Sequence, residues 1–454
     1  MILSTSFCHF VYNQATLSQS TLVSNKGGSM RIEATTVASY DHLVRPDAVH
    51  GDVYTDPGIF REELDHIFSR CWVYIGHESE IPRPGDFKRS TLGTRPVILC
   101  RDRDHRVHVL FNRCRHRAAL VCLPDCGNAE GFRCDYHGWH YRLSGELAGV
   151  PYAEAYENLD MGSLGLGKPP RVSSYRGFVF ASCAADGAGL EKELGHPCME
   201  QIDLFCDLSP EGRIRLQAGV SKLAYDGNWK LQMENSIDGY HPNFTHQSFF
   251  AGIRGPGGAR VDMFDGNSAA LCRALGNGHT LLDYRRYNVS HARARIEALQ
   301  ATSWGRHYYQ DLVAAHGEPR AETVLSAGGT HMNVFPNLVV LGQQVRTIRP
   351  IRHDRTEVLL APALLEGVPD EINTQRLRAY EAFYSPQGGG IHDDIEMFSR
   401  VTEGLRCDYD PWLLFQRGQH REQQDGDGTI VGQVTDEVSQ RAMWRRWKAL
   451  METS

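Results

Sequence analysis

The sequence predicts an α+β protein in two parts: a small antiparallel β domain, then a larger domain built on a curved antiparallel sheet flanked by helices. Three observations carry that prediction. Across residues 95–147, short apolar runs alternate with polar turns at the density of a small β domain. Across 331–364, three longer β-type runs follow one another, separated by turns at Pro336 and at His353-Asp354. Helical periodicity marks 57–68, 291–315, 371–384, 393–405 and 441–451 instead. A chain of 454 residues is also too long for one ordinary core.

Residues 1–29 are rich in Ser, Thr, Asn and Gln and end at Lys26-Gly-Gly-Ser-Met30. They read as a disordered tail, or as residues preceding a natural start at Met30, and show no secretory pattern. Residues 30–71 form an N-terminal segment. In it Asp56 is an N-cap before Pro57, and Phe60, Leu64, Ile67 and Phe68 fall on one helical face. This entry helix runs into a strand over 71–75, followed by a turn at 82–85 and strands over 95–100 and 107–111. A hairpin turn at 143–147, loop over 148–170 and strand over 177–181 follow, so the two parts span 72–170 and 171–454. Residues 184–212 read as partly helical, 213–223 as a strand and 275–280 as a turn. Helix 441–451, with Trp444 and Trp447, reads as a packed helix or a subunit contact.

With 41% hydrophobic and 23% charged residues, the composition is that of a soluble globular protein. A net charge of −7, from 48 basic and 55 acidic residues, argues against nucleic acid as a partner. No apolar run approaches the roughly 20 residues that span a bilayer, so no membrane is expected. Twelve cysteines diluted over this length suit a reducing, cytoplasmic setting, with Cys122 and Cys126 reduced.

Asn112-Arg-Cys114-Arg-His116 is followed, after 17 residues, by Cys134-Asp-Tyr-His137-Gly-Trp139. Two Cys and two His could hold one tetrahedral zinc, or a Rieske [2Fe–2S] centre with two Cys on one iron and two His on the other. A zinc finger usually pairs Cys with Cys and His with His. Here each short pair supplies one of each, as a Rieske centre needs. These boxes resemble those of the Rieske non-haem iron oxygenases, specifically the large (α) subunit of aromatic-ring-hydroxylating dioxygenases. Ala118 stands where the family commonly has Gly, and Asp135 where it often has Pro. The resemblance implies a Rieske [2Fe–2S] domain over 72–170, with Cys114, His116, Cys134 and His137 as cluster ligands.

The second constellation is Asn228-Trp-Lys230, then Glu234-Asn235-Ser-Ile-Asp238-Gly-Tyr-His241-Pro-Asn-Phe-Thr-His246. On an unbroken helix the two histidines would point about 140° apart. Pro242 disturbs the helix after His241 and lets them converge, with Asp238 one turn earlier on the same face. This box resembles the family's mononuclear iron motif, Asp-x-x-His-x4-His. Two His and a carboxylate leave open positions on Fe(II) for O2. The carboxylate candidate is Asp394, with Asp393 its rival; a plain pair of N-terminal helix acids is the simpler alternative.

The resemblance implies a terminal oxygenase. Electrons from a ferredoxin and/or flavin reductase would reach the iron and, with O2, hydroxylate an aromatic ring, cis-dihydroxylation being expected. The family assembles as trimers, some with a small β subunit, and Asp238 would bridge His137 of one chain to His241 of the next. A Rieske monooxygenase or demethylase acting on a non-aromatic or amine substrate is the alternative; a pure electron-transfer protein would lack the second box. Phe249, Phe250, Met233, Phe244 and Val334 are candidate pocket walls. Arg254, Arg260, Arg273 and Arg346 could pair with an aromatic carboxylate.

Overall fold

The structure is a computed structural model that describes residues 39–252, 269–327, 331–407 and 409–453. The tail over 1–29, Met30, Arg254 and Arg260 lie outside the described residues.

The entry helix is Pro57–His66. The Asp56 carboxylate accepts from the N–H groups of Gly58 and Ile59, the latter at 3.2 Å, satisfying donors that a helix start leaves open. Phe60, Ile67 and Phe68 are buried below it. The strand expected at 71–75 is Val73–His77. It pairs antiparallel with Phe178–Ser182, so the chain returns past the 148–170 loop to seal its opening strand. Between them, Val107–Phe111, Arg95–Arg101, Asp86–Leu92 and Cys126–Asn128 form one sheet. Gly131–Arg133, His140–Arg142 and Leu147–Gly149 form another. Phe87, Ile98, Leu110, Phe132, Trp139 and Tyr141 close a core beneath both, and that core includes Cys114 and Cys134.

The larger part is organised on a nine-stranded antiparallel sheet. Its middle runs in the order Arg355–Pro362, Gln344–Arg352, Leu338–Leu341, His331–Val334, His279–Asp283. One face carries Val339, Leu341, Ile348 and Leu360 against Trp229 and Met233. The other packs Met332, Val334, Leu338, Val340 and Val345 against the helix Leu190–Cys206.

Two expectations need correction. Residues 213–223 are not one strand: Ile214–Arg215 and Ser221–Tyr225 belong to different sheets, because Gly219 turns the chain at φ +96°. Residues 291–315 are not one helix either. Arg285–Gln300 ends before Thr302, whose hydroxyl accepts from Gly305 N–H at 3.0 Å and opens Ser303–His316. The C-terminal helix, Val438–Met451, is packed within this chain, with Trp447 fully buried. Among the described residues no helix is long and apolar enough to cross a membrane.

Candidate metal centres

The two cluster boxes form matched loops. Cys114 N–H donates to Ala119 C=O and Ala118 N–H to Cys114 C=O, at 2.8 and 3.0 Å. Cys134 N–H donates to Trp139 C=O and Gly138 N–H to Cys134 C=O, both at 2.8 Å. Ala118 and Gly138 hold the same place in each loop, at φ +62° and +72°. Asn112, fully buried, pins the connecting chain: its Oδ1 accepts from Val121 and Cys122 N–H, both at 2.9 Å, and its Nδ2 donates to Cys122 C=O at 2.7 Å.

Both thiols are buried, and the Tyr141 hydroxyl lies 3.2 Å from Cys114 Sγ. The His116 and His137 rings lie 4.4 Å apart, with His116 stacked on Trp139 and His137 on Tyr136. His116 Nδ1 is buried without a hydrogen-bond partner, as expected of an atom shaped to meet a metal. Burial, then the charges of His137 and Arg117, lower the His116 pKa and keep the ring neutral for coordination. Each loop thus brings one thiol and one imidazole, the donor set of two irons held by two Cys and by two His.

At the second centre, ligand atoms of His241, His246 and Asp394 all lie within 4.8 Å of one another. Pro242 does not break a helix here. It is the first residue of a one-turn helix, Pro242–Thr245, with His241 at its N-cap and His246 at its C-cap. Placing one ligand at each end of a single turn removes the 140° problem. Asp238 lies in the irregular link before that turn rather than one helical turn earlier. Gly239 follows because a Cβ there would collide with the Val434 backbone.

Both Nε2 atoms converge on Asp394 Oδ1, at 3.4 Å from His241 and 3.2 Å from His246. Each Nδ1 faces a different carboxylate, Asp238 for His241 and Asp393 for His246, at 3.4 Å in both cases. The Asp238 contact is a charge contact rather than an aligned hydrogen bond, since His241 Nδ1 has no hydrogen-bond partner. Asn235 Nδ2 donates to Asp394 Oδ1 at 3.0 Å. Asp393 thus stands behind a histidine, while Asp394 completes the group. Burial alone would lower the His241 pKa, but Asp238 and Asp394 overcome it and push it up to about 9. Burial opposes ionisation of Asp394, yet the two imidazoles hold its carboxyl well below the usual range. A site this negative, with two imidazoles turned inward, fits a divalent cation.

The Rieske [2Fe–2S] domain family matches residues 71–170, and the ring-hydroxylating α-subunit catalytic domain family matches 207–453, more than half the chain. The chain belongs to the ring-hydroxylating oxygenase α subunits. It is 32% identical over 379 residues to the anthranilate 1,2-dioxygenase large subunit of Acinetobacter baylyi, covering 82% of this chain and 80% of that one. It is 33% identical over 405 residues to the 2-halobenzoate 1,2-dioxygenase large subunit of Burkholderia cepacia, covering 83% and 82%. A naphthalene 1,2-dioxygenase structure with indole in its active site superposes at a TM-score of 0.78, with 26% identity over 91% of this chain and 94% of that one. Members of this family are terminal oxygenases. They carry a Rieske [2Fe–2S] cluster and a mononuclear iron and use O2 and electrons from a redox partner, most of the relatives being named as aromatic-ring dioxygenases and one, 29% identical, as an N,N-dimethyl phenylurea N-demethylase α subunit.

In this ring-hydroxylating α subunit the candidate pocket walls separate. Phe249 packs on Phe383, centroids 4.8 Å apart, and Phe383 packs edge-on against His246 at 4.8 Å. Gly390 makes room for that ring, because a Cβ there would strike it. Phe250 adjoins Phe249 at 5.5 Å, and Met233 is buried in the core on the metal side of the sheet. Val334 faces the opposite core, and Phe244 is 65% exposed, so neither lines the centre. Arg273 is committed to Asp283 and Asp425, each at 2.9 Å. Asn112 and Asn235 carry no role in the sequence reading; their place inside the cluster and iron boxes is the signal that could find them.

Proposed function

We propose that this α subunit adds both atoms of O2 to neighbouring carbons of an aromatic ring. Cys114, His116, Cys134 and His137 hold the cluster; His241, His246 and Asp394 hold the iron. The convergence of both imidazole Nε2 atoms on Asp394 carries this reading. When bound, the cluster supplies single electrons and the iron supplies oxygen activation. The chain's own residues orient the ligands: Asn235 fixes Asp394, Asp393 fixes His246, and Asp238 fixes His241.

Asp238 is also the proposed link between centres, joining His137 of one chain to His241 of the next in a trimer, with or without a small β subunit. Two features support it. Asp238 is partly exposed and, among the described residues, has no hydrogen bond or ion pair to the cluster loops of its own chain. The cluster loops also expose Leu120, Leu123 and Tyr136, apolar side chains suited to a protein neighbour. The division at residue 170 is kept, supported by the end of the first family match there. A cytoplasmic setting is supported by the nine described cysteines outside the cluster pair, none of which forms a disulfide, Cys126 and Cys407 being exposed.

Anthranilate and 2-halobenzoate, for which two relatives are named, are benzene rings bearing a carboxylate; naphthalene bears none. The test is product mass from purified protein, a reductase pair and an aromatic panel. Two added oxygens are expected, and one would favour the monooxygenase alternative. Asp238→Ala should retain iron and sulfide yet lose nearly all turnover; full activity with both centres filled refutes the link.

A further inference from the structure

Three arginines are buried among the described residues: Arg273, Arg346 and Arg441. Arg273 pairs with Asp283, and Arg441 with Glu422 at 2.6 Å. The side chain of Arg346, a residue 2% exposed, has no hydrogen bond and no carboxylate ion pair among the described residues, and its Nε is buried and unsatisfied. An unpaired buried guanidinium is costly, so its place calls for an anion.

Strand pairing shows where it stands. Arg346 pairs with Val339 and Leu360, and both belong to the core on the metal side of the sheet. Two residues away on the same strand, and so on the same face, is Gln344, fully buried with both amide atoms unsatisfied. The Arg346 guanidinium lies over the Tyr384 ring at 4.9 Å. Tyr384 packs on Phe383 at 4.6 Å, and Phe383 packs on His246 at 4.8 Å. Two aromatic side chains thus connect the unpaired cation to an iron-site histidine. Asp394 acts on Arg346 only through its charge at a distance: it lies against the two imidazoles and Asn235 and makes no ion pair with the guanidinium.

We propose that Arg346 and Gln344 bind the carboxylate of an aromatic-acid substrate and so hold its ring beside His241, His246 and Asp394. This rests on the ring-oxygenase reading above and adds its substrate class. A planar guanidinium can donate two parallel hydrogen bonds to a carboxylate, and the Gln344 Nε2 can donate another. The Tyr384 and Phe383 rings offer the apolar surface that a benzene ring needs. A ring without the charge would leave Arg346 and Gln344 unsatisfied, so selection against it is built in.

The test uses holoenzyme and matched pairs differing only in the carboxylate: benzoate with benzene, 2-aminobenzoate with aniline, 2-chlorobenzoate with chlorobenzene. Calorimetric titration should show at least one acid binding more tightly than its partner. Arg346→Met should weaken that acid about 100-fold, Arg346→Lys less, and Gln344→Leu about tenfold. The kcat/KM ratio of acid to neutral ring should shift by the same factors, through KM. Arg346→Met should also melt no lower than the native protein, since it removes a charge without a partner; a residue with a structural role would lower the melting temperature. Acid affinity unchanged in Arg346→Met, or neutral rings oxidised while every acid neither binds nor reacts, overturns the carboxylate site and leaves the oxygenase reading standing. No oxidation of any ring by protein with both centres filled overturns both.

Discussion

Lys230, just ahead of the iron box, holds one half of a buried ion pair. Its Nζ lies 2.5 Å from Glu63 Oε1, and both residues are 0% exposed. Glu63 also accepts from two indoles, Trp447 Nε1 at 2.7 Å and Trp229 Nε1 at 2.8 Å. One carboxylate therefore fastens the entry helix, the helix Trp229–Asn235 and the C-terminal helix together. Burial pulls the Lys230 pKa below its usual range, with Glu63 opposing. Removing either partner leaves a desolvated charge, so Glu63→Gln and Lys230→Met should each cost about 3–5 kcal/mol. The double variant leaves no orphan charge and should cost clearly less than the sum, with a coupling of about 2 kcal/mol or more. Urea unfolding read by tryptophan fluorescence measures this, because Trp229 and Trp447 are themselves in the network. Asn235, which orients Asp394, ends the helix that carries Lys230, so iron content should fall in both single variants. Single variants costing under about 1 kcal/mol, or strictly additive ones, refute this account.

Ala118 occupies a left-handed position, φ +62°, that a Cβ disfavours, so Ala118→Gly should stabilise the first cluster loop by about 1 kcal/mol, read as slower cluster bleaching on heating. Asp393→Asn weakens the support behind His246 and should lower iron affinity about 10–100-fold, measured by equilibrium metal competition. Burial pushes the pKa of His77 and His279 down to about 4 and that of His331 to about 3, against about 6.5 when unfolded. The unfolded chain then binds protons that the native chain excludes, so stability is full above pH 6.5 and falls as pH drops toward 4. Three such residues give a slope of up to about 4 kcal/mol per pH unit, measured from denaturant midpoints across pH 4–7.

What is legible in the sequence is what local chemistry encodes. The cluster boxes are short and self-contained, each Cys and His brought together by its own loop. The Asp56-Pro57 start, the Asp370–Tyr384 helix and the hairpin strands follow from caps and periodicity within one element. Asp394 could be weighed against Asp393 in sequence, but the geometry that separates them depends on residues about 150 positions away. The break between 215 and 221 is local, yet hidden: a single Gly at positive φ divides a run whose alternation continues across it.

Non-local partners explain the remainder. Arg273 and Arg346 look alike as letters in strand-like runs, and both end up buried. What distinguishes them is the partner each meets: Arg273 finds Asp283 on the neighbouring strand and Asp425 from a distant loop, whereas Arg346 points to the metal side of the sheet and finds neither. Lys230 and Glu63 are likewise unreadable as a pair, because they lie 167 positions apart on different helices. Pairing is thus the property that turns a buried charge from scaffold into site. The core closes Glu63 against Lys230 inside the chain, and the same physics leaves Arg346 needing an anion that the chain does not supply.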